Sequence, residues 1–193
     1  MSRWAPDAAL RLEQAAMELF ALQGYAATSV PQIAQRAGLT TRTFFRHFAD
    51  KREVLFLRER ELPKVVASLV AEAPDGLPPV ALVMHGFEVL AAGPFEKWRP
   101  AMLTRRAVVR SDPALREREL LKNVALAGVI ADALAADGVN ARDASLAARH
   151  AVLIFEVALD RWLDSSDEGP LVPILKATQE RLMLLATGAD QRG

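Results

Sequence analysis

Three neighbouring residues, Thr41, Arg42 and Thr43, carry side chains suited to reading a partner molecule. A guanidinium can place two N–H groups on guanine O6 and N7, and a threonine can bond a base edge or touch a thymine methyl group. Around them stand groups suited to phosphate oxygens: Ser29, Thr40, Arg46, His47 and Lys51. Phosphate contacts set register, whereas base contacts set sequence. The set points to double-stranded DNA, provided the chain displays residues 41 to 43 together.

Residues 29 to 51, SVPQIAQRAGLTTRTFFRHFADK, supply the elements that would do so. The pattern predicts two short helices joined by a tight turn. Ser29 and Gln32 form a capping box, in which side chains satisfy the orphan N–H groups of a helix start. Val30, Ile33, Ala34 and Ala37 then share one apolar face. Pro31 is tolerated because first-turn N–H groups have no helical partner. Gly38 ends the first helix, where a left-handed residue is cheap only for glycine. Thr40 caps the second helix, and Phe44 and Phe48, four apart, hold it to its neighbours. A helix, a short turn with glycine and a second helix make a helix-turn-helix. The first turn of its second helix is the part that enters a major groove.

The same run resembles the DNA-binding signature of the tetracycline-repressor (TetR) family. That signature reads IAxxAG, a hydrophobic residue, Ser or Thr, then an aromatic-rich helix ending in HF, with Lys a few residues on. Ile33, Ala34, Ala37, Gly38, Leu39, Thr40, Phe44, His47, Phe48 and Lys51 match it. The family usually has tyrosine where Phe45 stands, so a phenolic phosphate contact is missing while ring packing remains. The motif resemblance covers about residues 8 to 56; beyond that it is one of layout. It implies a dimer whose last two helices form a four-helix bundle. It also implies a regulator, most often a repressor, that leaves its operator when a small molecule binds.

Composition agrees with an all-α chain. Apolar residues make up 51% of the 193, aromatics only 6%, and alanine and leucine, both strong helix formers, abound. There is no cysteine, which excludes disulfides and thiolate metal sites and fits a reducing, cytoplasmic setting. No charged-then-apolar leader opens the chain, and no apolar run is long and clean enough to span a bilayer. The net charge is zero, but residues 1 to 60 hold nine basic and six acidic side chains and the remainder 15 and 18. The positive excess sits with the motif, and phosphate contacts need only local charge.

Residues 6 to 23 predict a first helix with the stripe Leu12, Ala15, Ala16, Leu19 and Phe20, completing a three-helix unit over residues 1 to 50. Residues 1 to 5 read as a loose arm in which Arg3 could brush DNA. Asp50 and Glu53 form a second capping box and open a connecting helix, 51 to 73, with a kink or break near 59 to 63 ahead of Pro63. APDGLPP then marks the boundary of a helical ligand-binding and dimerisation domain, 74 to 193. Within it, helices are expected over 79 to 92, 98 to 110, 113 to 137, 140 to 163 and 171 to 186, about nine in the chain. Pro100 fits the first turn of its helix.

The last two helices are apolar on more than one side, and a surface helix needs only one stripe. Leu153, Val157, Trp162, Ile174, Leu182 and Leu185 are therefore candidates for a face shared with a second copy. Met84, Phe87, Phe95, Trp98, Met102 and Phe155 could line a cavity for an apolar effector, with Asn123 and His150 as polar anchors; each taken alone also fits a core position. No nucleotide-binding loop, nucleophile elbow or zinc motif occurs. No enzyme, cofactor or metal site is expected. The rival reading of the residues is an all-helical carrier of small molecules whose helix-turn-helix is vestigial.

Overall fold

The computed structural model describes residues 7–74, 76–93, 95–166 and 169–188, so Arg3 and its arm lie outside the described residues. These form nine α-helices and one 3-10 helix, with no strand among them. The chain divides into two compact units: residues 1–60 with 101–119, and residues 61–100 with 120–193.

The first unit is built on α1 (Asp7–Gln23), α2 (Val30–Arg36) and α3 (Thr41–His47). Helices as short as α2 and α3 are unstable alone, since isolated helices below about 12–15 residues are marginal in water. Burial holds them. Leu12, Ala16 and Phe20 of α1, Ile33 of α2, and Phe44 of α3 are buried in one core with Phe48. The Phe44 and Phe48 rings stand 5.3 Å apart.

The connecting helix expected over residues 51 to 73 is instead two elements, a 3-10 helix (Arg52–Glu59) and α4 (Leu62–Ala71). Val54, Leu55 and Phe56 are all buried. Three successive α-helical positions fan over too wide an arc to face one core, and the backbone leaves helical geometry at Phe56 (φ −114°, ψ 15°). The break falls at Arg60 and Glu61, within the span expected from Pro63. Without an N–H, Pro63 starts α4 rather than continuing the preceding segment.

The boundaries of the units also differ from the sequence reading. The corner between α6 (Phe95–Ser111) and α7 (Pro113–Ala136) was expected in the C-terminal body. Its Val108, Val109 and Leu115 are buried in the same core as Phe44 and Phe56, so it belongs to the first unit. No local pattern marks that choice. Helix α6 begins at Phe95, so Pro100 lies inside it, past the first turn, and removes a ladder hydrogen bond there.

In the second unit α5 (Pro79–Ala91) packs on both α4 and α8 (Ala141–Asp164), and α8 packs on α9 (Leu171–Thr187). Gly86 lets α5 approach α4: a Cβ there would stand 3.4 Å from that of Leu69. Trp162 corrects an expectation. It is fully buried within its own unit, and its indole N–H donates to the Gly169 carbonyl at 2.7 Å. The wide apolar arc of α8 is filled there by its own fold, so Trp162 is not on a face open to a second copy.

Candidate nucleic-acid interface

Thr41 and Arg42 are exposed at the start of α3, while the next turn of the same helix buries Phe44. Thr40 fixes that start. Its backbone is extended (φ −96°, ψ 156°) and its hydroxyl oxygen accepts the Thr43 N–H at 3.1 Å. The Thr40 and Thr43 hydroxyls lie 3.0 Å apart, and Thr43 is half-buried. Of the three expected readers, Thr41 and Arg42 are therefore the more open.

The turn before α3 is fixed from α1. Gly38 has φ +65°, the left-handed conformation that glycine alone adopts cheaply. Arg11 donates to the Ala37 carbonyl at 2.5 Å, satisfying an orphan acceptor at the end of α2. The start of α2 is held by the Gln32 side chain, which accepts from the Ser29 N–H at 2.8 Å and from its hydroxyl at 2.9 Å.

Phe45 is 55% exposed, its ring edge-on to buried Phe44 at 5.5 Å. Arg46 is exposed near the end of α3. His47 is half-buried, with Nε2 enclosed and lacking a hydrogen-bond partner. Burial first, then the charges of Arg46 and Arg60, push its pKa below the ordinary imidazole value. At neutral pH it is thus an uncharged ring. Lys51, expected at a phosphate, also has partners within the fold. Its ammonium donates to the Tyr25 and Thr28 carbonyls, both at 2.7 Å, and stands 4.1 Å from the centre of the Tyr25 ring. Two of its three donors thus hold the α1–α2 turn.

Several residues beyond the reading helix hold this interface in place. Arg60 donates to the His47 carbonyl at 3.0 Å and lies over the Phe48 ring at 4.8 Å, closing the end of α3. Arg58 pairs with the buried Glu13 of α1 at 3.0 Å. Asp50 caps the 3-10 helix by accepting from the Arg52 and Glu53 N–H groups. Glu53 does not complete the expected box; its carboxylate takes Arg118 instead. Partners 45 and 65 positions apart leave no local signal.

The candidate effector residues are brought together only in part. Phe87 and Phe155 stack at 4.5 Å, and Phe95 meets Phe155 edge-on at 6.4 Å; with Met84 all are buried, as core side chains. Trp98 is 41% exposed beside Phe95. Asn123 is tied to the Glu156 carboxylate across α7 and α8. His150 is half-buried with Nε2 unpartnered. Met102 falls in the other unit. A cleft of about 260 Å³ in the second unit lies elsewhere, between the α4–α5 and α7–α8 turns, lined by Val70, Leu77, Leu82, Asp137 and Val139.

Among the described residues, no cluster of three or more His, Cys, Asp or Glu could hold a metal ion, and no helix is long and apolar enough to cross a membrane. The model of the family "Bacterial regulatory proteins, tetR family" matches residues 13–57, which run from α1 through the 3-10 helix. The HTH-type transcriptional regulator TcmR of Streptomyces glaucescens is 30% identical over 139 residues, 69% of this chain. That alignment spans 62% of the length of the Streptomyces protein. Among solved structures, the TetR-family repressor FadR of Thermus thermophilus, in complex with lauroyl-CoA, superposes with a TM-score of 0.55 at 23% identity, over 91% of this chain and 93% of that one. The fatty acid degradation regulator FadR of Bacillus halodurans gives 0.55 at 19%, over 93% and 95%. This chain belongs to the tetR family of bacterial regulatory proteins.

Proposed function

We propose that this chain is a sequence-specific DNA-binding transcriptional regulator, a homodimeric repressor released from a pseudo-palindromic operator by a small molecule. The observation that carries the reading is the exposed pair Thr41 and Arg42 at the start of a helix anchored by fully buried Phe44. Thr41, Arg42 and Thr43 read base edges. Ser29, Thr40, Phe45, Arg46, His47 and the remaining donor of Lys51 meet the phosphate backbone. The unpartnered Nε2 of His47 serves as a hydrogen-bonding group there.

Two readers on one duplex require a two-fold dimer, with half-sites about one helical turn or a multiple apart. The unpartnered apolar face of α8 and α9 supports one. Leu153 is 50% exposed and Leu185 59%, with Leu146 and Val157 also exposed. Ile174 and Leu182, half-buried, complete that face. The effector belongs to the second unit, beside Trp98 and the aromatic residues Phe87, Phe95 and Phe155, with His150 offering an unpartnered nitrogen. Release is a population shift, so the effector must prefer the arrangement in which the readers no longer fit the half-sites. An acyl thioester, the class of ligand held by the Thermus relative, is the first compound to try.

The test is selection of bound sites from random duplex DNA at roughly physiological salt. A recovered pseudo-palindrome, whose complex is dissolved by an effector, is the expected result. Enrichment of nothing by a folded dimer overturns the reading in favour of a carrier with a vestigial reader.

A further inference from the structure

The α6–α7 corner grips the 3-10 helix that follows the reader. The Arg105 Nε donates to the Leu55 carbonyl at 2.9 Å, and its Nη1 to the Glu119 carboxylate at 3.0 Å. Its guanidinium also lies 4.9 Å from the centre of the Phe56 ring. Beside it, Arg118 donates through Nε and Nη2 to the Glu53 carboxylate, at 2.9 and 2.5 Å. Arg118 holds the first turn of the 3-10 helix, and Arg105 holds it at its irregular point. The backbone leaves helical geometry at Phe56, the residue that follows the Leu55 carbonyl held by Arg105. A guanidinium can bridge a carbonyl and a carboxylate in a fixed geometry, which an ammonium cannot. Val108, Val109 and Leu115 carry the same corner into the core that holds Phe44 and Phe48.

Both helices of the corner continue into the other unit: α6 passes from residue 100 to 101 and α7 from 119 to 120. Pro100, at the first crossing, deprives α6 of a ladder hydrogen bond there, a point at which a helix bends readily. We propose that Arg105 is a positioning residue, through which the α6–α7 corner fixes the placement of the 3-10 helix and thereby of α3. This proposal rests on the reading of the chain as an effector-released DNA binder. It adds a second route for the signal, alongside the direct chain link at Arg60 and Glu61. Arg105 touches neither Thr41 nor Arg42, so it sets where the reader stands and not which bases it prefers.

The test compares full-length wild type with Arg105→Gln and Arg105→Lys, by amide hydrogen exchange and by site selection from random duplex DNA. Both variants should speed exchange in residues 30–59 by about tenfold or more while leaving residues 141–187 unchanged. Their selected sites should keep the base preferences of each half-site and accept a wider range of half-site spacings. Unchanged exchange in residues 30–59, or an equal rise throughout the chain, overturns the proposal, the second by making Arg105 an ordinary stabilising residue. Altered base preference also overturns it, by making Arg105 part of the readout. If wild type enriches no site, the DNA-binding reading fails, and the exchange pattern alone decides whether the corner holds the reader.

Discussion

At the residue scale, Glu13 and His47, beside the reader, are perturbed in opposite directions. Burial raises the Glu13 carboxyl above its usual range, and the Arg58 charge only partly offsets this. A raised carboxyl contributes stability below its unfolded value, and that contribution is lost as pH rises through the folded value. Wild type should therefore lose stability relative to Glu13→Gln as pH rises from about 4.5 toward neutrality. Urea unfolding of both proteins at several pH values checks this; a gain for wild type over the same interval contradicts it. His47 is depressed, by burial first, so its contribution is present above about pH 6.5 and lost as pH falls through the lower folded value. Its imidazole resonances should titrate with a midpoint below 6.5, as NMR would show directly. Lys51→Ala should lower stability as well as weaken all DNA sequences alike, because its ammonium holds the Tyr25 and Thr28 carbonyls. A variant as stable as wild type would show that these two bonds do not hold the turn.

At the element scale, the helix-turn-helix was legible because its determinants are local. Ser29, Gly38 and Thr40 act within four residues of their own positions, and Phe44 with Phe48 obeys the helical period. The 3-10 helix was not legible. Its three consecutive buried residues and the kink at Phe56 follow from partners on α1, α6 and α7, far away in sequence. The start of α6 was misplaced for a related reason: Pro100 signals a first turn from sequence, whereas burial of Phe95 extends the helix ahead of it. Gly38→Ala tests the turn. The new Cβ would take a left-handed backbone and stand 3.1 Å from the Arg11 guanidinium. A loss of roughly 1–2 kcal/mol is expected from the backbone alone, measured by denaturant unfolding. No loss would mean that the turn relaxes and that Arg11 does not lock it.

At the scale of the whole molecule, sequence showed that α8 and α9 carry more apolar surface than one stripe requires. It could not apportion that surface, because helical period does not distinguish a residue facing its own core from one facing a partner. Trp162 went to the core, whereas Leu153 and Leu185 stayed exposed. Leu153→Glu combined with Leu185→Glu should give a folded monomer by analytical ultracentrifugation, with operator binding lost. A dimer that persists would place the shared face elsewhere. The charge distribution is resolved in the same way. The first unit gathers the N-terminal basic excess together with Arg105, Arg106, Arg110, Arg116 and Arg118, and so is basic within a chain of zero net charge.

The most direct measurement is the base-preference profile of Arg42→Ala beside that of wild type on the selected operator. A reader at the start of α3, presented twice by a two-fold dimer, predicts relaxed preference at one base pair in each half-site, symmetrically placed. Affinity should fall by about 1–3 kcal/mol per reading contact, with the remaining positions unchanged. A uniform loss at all positions, or a profile identical to wild type, would contradict the assignment of base reading to the first turn of α3.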